Sequence, residues 1–369
     1  MDAALADQLC AEGIGRGEMS GASRRLPHFE PGVSAVALPR GAAVVIAAGL
    51  LLLAGCATPT FDLQGHRGAR GLAPENTLPA FAVALSLGVT TLELDVAITK
   101  DGAIVVSHDA ILNPDITRDA TGAYLKAKGP PIVTLDYAEL QRYDVGRINP
   151  ESRYAKTHAS QQPVDGTRIP RLADVFALAR RAGNHDIRYN IETKLSPLSP
   201  NDTLPPEAYA ERLIAMIYAN GVNRQVTIQS FDWRTLQYIQ KIAPELPTVY
   251  LSAQQSWTDN IGAEKPEGSL WTAGFQVRDY GGSVARMVKA AGGRTWSPYF
   301  GDVDQAKVDE AHALGLGVVV WTVNQPVDIE RMLDFRVEGI ISDRPDLVRA
   351  AMAARQMVLP KATPVAGGP

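Results

Sequence analysis

Eight apolar runs of strand length, at 61–66, 90–99, 188–194, 225–231, 247–252, 294–299, 318–324 and 339–342, alternate with longer segments of helical period. The helical segments fall at 76–87, 171–182, 206–220, 233–242, 284–291, 303–314 and 327–335. A strand followed by a helix and then another strand of the same kind returns the chain to the same edge of a parallel sheet. Eight such returns close the sheet on itself. The alternation therefore predicts an α/β protein, a (β/α)8 TIM barrel spanning residues 61–355.

Two departures from a plain barrel are written into the chain. Lys100-Asp101-Gly102 separates the strand-like runs 92–99 and 103–108, and an Asp-Gly pair in that position is a hairpin signal, so the second strand gains an antiparallel partner. Residues 113–169, rich in Pro, Asp and Gly with one helical patch at 135–143, are too long for a βα loop and read as a small insertion over one barrel face. The tail 356–369 is rich in Pro, Ala and Gly, and is expected to be disordered.

With 46% hydrophobic and 21% charged residues in 369, the composition is that of a globular protein. The net charge of -4 and the lack of any Lys/Arg stripe exclude the electrostatic footprint of a nucleic-acid binder. Only Cys10 and Cys56 are present, which rules out a disulfide framework or a thiolate zinc site. Cys56 ends the apolar run that begins at Gly41 after Arg40, a run short for a membrane-spanning helix, which needs roughly 20 apolar residues. Leu53-Ala54-Gly55-Cys56 looks like a bacterial lipobox. The expectation is that 1–55 is a removed export signal and that 56–60 is a lipidated tether to a bacterial envelope membrane, facing the periplasm or outside. So short a tether at the start of the first strand would turn the opposite, C-terminal face of the barrel away from that membrane.

The second strand carries the chemistry. In Thr90-Thr-Leu-Glu-Leu-Asp-Val-Ala, Leu92, Leu94 and Val96 share one face, and Glu93 and Asp95 share the other. The outer face of a barrel meets helices and must be apolar, so the two carboxylates point inward. Two such charges in a low-dielectric interior cost several kcal/mol unless a cation lies between them. On the next strand Asn190, Glu192 and Lys194 share a face, adding a third acid and a cation. Three inward acids suit a hard divalent ion with open positions. His66, between Gly65 and the Arg67-Gly68 pair, sits where the first strand ends. His108, in Ser107-His108-Asp109, ends the hairpin strand beside the acids. These two imidazoles suit general acid–base work, whereas His28, His158, His185 and His312 are read as structural. Trp321, on a face with Val319 and Val323, is placed as an apolar wall for substrate carbons.

Taken together, His66-Arg67-Gly68, Pro74-Glu75-Asn76-Thr77, Glu93-Leu94-Asp95-Val96, Thr99-Lys100-Asp101-Gly102, His108-Asp109, Ile169-Pro170-Arg171-Leu172, Glu192-Thr193-Lys194, Gln229-Ser230-Phe231, Trp321-Thr322-Val323-Asn324 and Ser342-Asp343-Arg344-Pro345-Asp346 resemble the signature of glycerophosphodiester phosphodiesterases. The resemblance implies one Ca²⁺ or Mg²⁺ on Glu93, Asp95 and Glu192, and catalysis by His66 and His108. It also implies phosphate contacts from Arg67 and Lys194, and hydrolysis of a small-molecule glycerophosphodiester to glycerol 3-phosphate and an alcohol. A lysophospholipase D or a phospholipase C-like lipid phosphodiesterase is the related alternative, and would need an apolar approach that the insertion does not offer. A solute-binding lipoprotein is the alternative of another class, and would have no use for two histidines beside three inward acids.

Overall fold

The computed structural model describes residues 60–366, so the signal segment and all of the tether but Thr60 lie outside the described residues. The eight predicted strands are present as β1 (Asp62–Gly65), β2 (Thr91–Ile98), β4 (Arg188–Thr193), β5 (Val226–Ser230), β6 (Thr248–Ser252), β7 (Thr295–Pro298), β8 (Gly317–Val320) and β9 (Gly339–Ser342). The hairpin strand is β3 (Ile104–Val106). Each barrel strand pairs in parallel with its neighbours, and β1 pairs with both β9 and β2, which closes the barrel. β3 runs antiparallel to β2, with Val96 opposite Val106.

Helices α1 (Leu78–Leu87), α2 (Leu172–Arg181), α3 (Pro206–Ala219), α4 (Trp233–Ile242), α5 (Val284–Ala290), α6 (Gln305–Ala313), α7 (Pro326–Asp334) and α8 (Pro345–Ala354) follow the barrel strands in turn. Local chemistry marks their ends. The Thr77 side chain caps α1 at the Ala80 N–H, Asp232 caps α4 at the Arg234 N–H, and Gly88 closes α1 in the left-handed conformation. Leu92, Leu94 and Val96 lie in the core shared with Phe81, Leu85, Phe176 and Leu213 of the helices. The outward apolar face thus buries every second residue of β2, and Glu93 and Asp95 are left to the interior.

Inside the barrel the core beneath the site is polar. Asn190 Nδ2 donates to Gln64 Oε1 at 2.9 Å and to Gln229 Oε1 at 2.8 Å, and Gln229 Nε2 donates to Glu93 Oε1 at 2.7 Å. The amide chain satisfies groups that would otherwise be costly to bury. The insertion has a small core of its own, in which Ile132, Leu140, Val145 and Ile169 pack with Leu112 against Ala97 and Val105 of the hairpin. Its predicted helical patch is only the turn Tyr137–Leu140, and a second short helix, Arg153–Thr157, was not foreseen.

The tail corrects an expectation. Residues 356–366 are docked rather than disordered: Thr363 N donates to Leu85 O at 2.8 Å, Asn184 Nδ2 donates to Thr363 Oγ1 at 3.0 Å, and Arg349 bridges Gly88 O and Pro360 O. A low-complexity composition is compatible with order where the barrel offers the partners, and here Met357 and Val365 also pack on the main core. The contact is close at Gly88, where a Cβ would lie 2.8 Å from Pro360 O. Ending the chain at Arg355 is expected to cost about 2–4 kcal/mol, from the three docking hydrogen bonds, the backbone bonds of Gln356 and Met357, and the Met357 and Val365 packing. A denaturant midpoint unchanged by the truncation would show the docking to be energetically neutral.

Candidate active site

The site is assembled at the C-terminal ends of the barrel strands. His66 directly follows β1, Lys194 follows β4, Phe231 follows β5, Tyr299 follows β7, Trp321 follows β8 and Asp343 follows β9. They line or back one open cavity of about 1120 Å³, whose wall includes His66, Arg67, Glu93, His108, Glu192 and Lys194. Of the residues singled out from the sequence for chemistry, all but Asp95 line this mouth. Asp95 lies just beneath it, fully buried beside Glu192, its partner across the β2–β4 register.

Glu93, Asp95 and Glu192 each offer a carboxylate oxygen within 4.8 Å of the others. Burial, and after it the neighbouring Asp95, pushes Glu93 well above the usual carboxylate range. Glu192 is raised to about 7, by burial against the opposing pull of Lys194. Asp95 stays ionised: burial pushes it up, but Lys194 and the other cations around it pull it down further. Lys194 Nζ lies 2.7 Å from Glu192 Oε1 and 3.7 Å from Asp95 Oδ1. Asp95 Oδ1 is nevertheless buried with no hydrogen-bond donor, a costly condition for an ionised oxygen. An oxygen-only donor set with an unsatisfied buried oxygen fits a hard divalent cation.

The loop from Gly65 to Asn76 is shaped to present backbone and side chain together. Arg67 takes a left-handed φ of 49° and Asn76 one of 55°, conformations that cost energy in non-glycine residues and tend to collect at functional sites. In return, Arg67 N donates to Glu93 Oε2 at 2.8 Å and Asn76 Nδ2 donates to Asp95 Oδ2 at 2.9 Å. Gly65 has no alternative here, since a Cβ would sit 2.1 Å from Gly68 O. The Arg67 guanidinium is held at the cavity wall by Glu75 at 2.7 Å and Asp95 at 3.3 Å.

Each histidine has a carboxylate on Nδ1. For His66 it is Asp343, at 2.6 Å, and for His108 it is Asp109, at 3.0 Å. Such a partner fixes ring orientation and leaves Nε2 to face the cavity. His66 Nε2 stands 3.9 Å from Glu93 Oε2. Burial, and then the charge of Arg70, lowers His66 to about 4, against the upward pull of Asp343. The imidazole is therefore neutral near pH 7.

Asp343 received no role from the sequence, and it proves central. Arg70 Nε and Nη2 bind its two oxygens at 2.8 and 2.9 Å, and Asn324 Nδ2 donates to it at 2.7 Å. A signal was present: β1 and β9 are sequence-first and sequence-last and pair with Gly65 opposite Ser342, so the next residues, His66 and Asp343, must be neighbours. His158, read as structural, lies 3.8 Å from Asp343. Trp321 meets Phe231 edge to face at 5.2 Å and lines the cavity, joined there by Tyr299 and Trp257.

A (β/α)8 barrel whose mouth carries three clustered carboxylates, two carboxylate-backed histidines and buried cations has the layout of a phosphoric ester hydrolase. Residues 66–347 match the model of the glycerophosphoryl diester phosphodiesterase family. A glycerophosphodiester phosphodiesterase of Caldanaerobacter subterraneus is 30% identical over 281 residues, covering 76% of this chain and 93% of that one. A Mus musculus protein named lysophospholipase D GDPD1 is 36% identical over 301 residues, covering 76% and 82%. The crystal structure of a putative glycerophosphoryl diester phosphodiesterase from Silicibacter pomeroyi superposes with a TM-score of 0.72 at 33% identity, covering 81% of this chain and 95% of that one. The chain belongs to the glycerophosphoryl diester phosphodiesterase family, and is a phosphoric diester hydrolase.

Glu192→Gln removes one of the three clustered carboxylates. Added Ca²⁺ or Mg²⁺ is expected to raise the melting temperature of the wild type, as a ligand of the native state does, and to raise that of the variant less, each measured against its own metal-free form. An undiminished rise in the variant would remove Glu192 from the ligand set.

Proposed function

We propose that the chain hydrolyses small-molecule glycerophosphodiesters to glycerol 3-phosphate and an alcohol, using one divalent cation, Ca²⁺ or Mg²⁺, and acid–base catalysis by His66 and His108. The observation that carries this reading is the pair of histidines, each oriented through Nδ1 by its own carboxylate, on the wall of the cavity that also holds the three-acid cluster. Glu93, Asp95 and Glu192 would hold the cation. When bound, it supplies neutralisation of phosphate charge and acidification of a hydroxyl beside it.

The chain's own groups do the rest. Arg67 and Lys194 present positive charge to the phosphate from two sides of the mouth. One imidazole takes a proton from the attacking oxygen, while the other delivers a proton to the oxygen of the departing alcohol. The bond from phosphorus to that oxygen breaks as the bond to the attacking oxygen forms. If the attacker is a glycerol hydroxyl, a cyclic phosphate follows and is opened by water with the histidine roles reversed. If it is water, one displacement completes the reaction. Trp321 and Phe231 supply an apolar wall along the substrate carbons.

The relative named a lysophospholipase D, together with one feature of the mouth, favours a second reading in which the glycerol carries an acyl chain. Leu198 is 70% exposed and Trp257 58% exposed at the cavity edge, and rings run inward from Trp257 through Trp321 to Phe231, which lies under Lys194. The apolar approach sought in the insertion comes instead from the loops after β4 and β6.

Glycerophosphocholine and glycerophosphoethanolamine should release glycerol 3-phosphate, and a chelator should stop the release. His66→Ala and His108→Ala should each lower the rate by roughly 10²–10⁴, with a double variant less than additive if the two act as one relay. Chelator-insensitive turnover would overturn the metal assignment. Faster hydrolysis of lysophosphatidylcholine than of glycerophosphocholine would select the second reading.

Export and anchoring rest on Leu53-Ala54-Gly55-Cys56, and we propose them on that motif alone. In a bacterial host the chain should label with palmitate and fractionate with membranes, and Cys56→Ser should abolish both. A soluble, unlabelled wild type would refute the anchor.

A further inference from the structure

The insertion reaches back into the site through one short helix. Arg153–Thr157 places Tyr154 over the loop between β1 and α1, and His158 follows as its C-terminal cap. The Tyr154 hydroxyl donates to Glu75 Oε2 and accepts from Arg70 Nη1 at 3.2 Å. Glu75 Oε1 in turn holds Arg67 Nη1 at 2.7 Å, and Arg70 holds both oxygens of Asp343, the partner of His66. One phenol therefore joins two branches. The first ends at Arg67 on the phosphate side of the mouth, and the second at the His66 imidazole.

The same segment is fastened to that loop by further bonds. Gln161 Nε2 donates to Arg70 O at 2.7 Å, and Gln162 N donates to Leu72 O at 2.9 Å. The Tyr154 and His158 rings lie 4.3 Å apart, with His158 Nε2 3.8 Å from Asp343. The insertion is thus bonded to both arginines' surroundings, and this loop already carries the strained Arg67. A side chain held through such a relay sits within the narrow angular range that catalysis needs, whereas one left to its own rotamers does not.

We propose that Tyr154 is a positioning residue of the active site, setting Arg67 through Glu75 and His66 through Arg70 and Asp343, so that the insertion is a working part of the catalytic mouth. The proposal rests on the assignment of Arg67 and His66 made above. It separates the two branches by their kinetics: misplacing Arg67 weakens hold on the phosphate, and misplacing His66 slows proton transfer.

The test is Tyr154→Phe in the full chain, which keeps the ring against His158 and deletes only the hydroxyl. We expect kcat/KM for glycerophosphocholine to fall about 10- to 100-fold, with KM raised and kcat lowered together and the melting temperature little changed. Calorimetric affinity for glycerol 3-phosphate should fall as well, which reads the Arg67 branch without turnover. Glu75→Gln should raise KM while leaving kcat closer to wild type. Arg147→Ala, which breaks only the insertion's own exposed pairing with Asp165, should leave kcat and KM unchanged. Wild-type kcat, KM and product affinity in Tyr154→Phe would overturn the proposal. A wild type that binds glycerol 3-phosphate yet hydrolyses no glycerophosphodiester would instead overturn the proposed reaction, leaving the affinity comparison to decide the role of Tyr154.

Discussion

Three carboxylates that face one another inside a barrel set the terms for everything around them. Like charges in a low-dielectric interior repel strongly, and each also forfeits its hydration. The fold answers with directed donors. Arg67 gives Glu93 a backbone N–H, Gln229 gives it a side-chain amide, Asn76 bonds Asp95, and Lys194 reaches both Glu192 and Asp95. The left-handed backbone at Arg67 and Asn76, the bare Gly65 and the amide chain through Gln64 and Asn190 are all consequences of placing those donors. An apolar barrel interior would be easier to fold, and would lack clustered oxygens that could hold a cation.

The cluster also explains why the cationic groups are so firmly restrained. Arg67, Arg70 and Lys194 lie among five carboxylates, those of Glu75, Glu93, Asp95, Glu192 and Asp343, and each makes at least one ion pair with them. Removing one partner strands another charge, which is the expensive event in a buried network. Side chains held in this way are already oriented, so a ligand that meets them need not pay for ordering them.

Much of this was legible in the chain. The barrel followed from eight strand-length runs, and the acid cluster from the alternation of Leu92, Glu93, Leu94 and Asp95, because a strand's period of two leaves little choice of face. What stayed hidden depends on contacts between distant segments. Asp343 is 277 residues from His66 and Tyr154 is 79 from Glu75; no local period reports such pairs. The insertion's composition showed that it was irregular, and could not show which of its side chains turn inward. The tail misled for a related reason: Pro- and Ala-rich sequence lacks its own core, but order can be supplied by Leu85, Asn184 and Arg349 of the barrel.

That docked tail has a practical geometry. Thr363 binds beside the end of α1 and next to Asn184, just ahead of β4, which is the rim where strands begin. Asp62 starts β1 on the same rim. Both ends of the folded chain therefore leave from the base of the barrel, while the cavity opens from its top. A purification handle, a fluorescent fusion or a coupling to a solid support, attached at either end, would leave the mouth unobstructed, and a sensor built from this scaffold could carry its reporter without screening the substrate from the carboxylates.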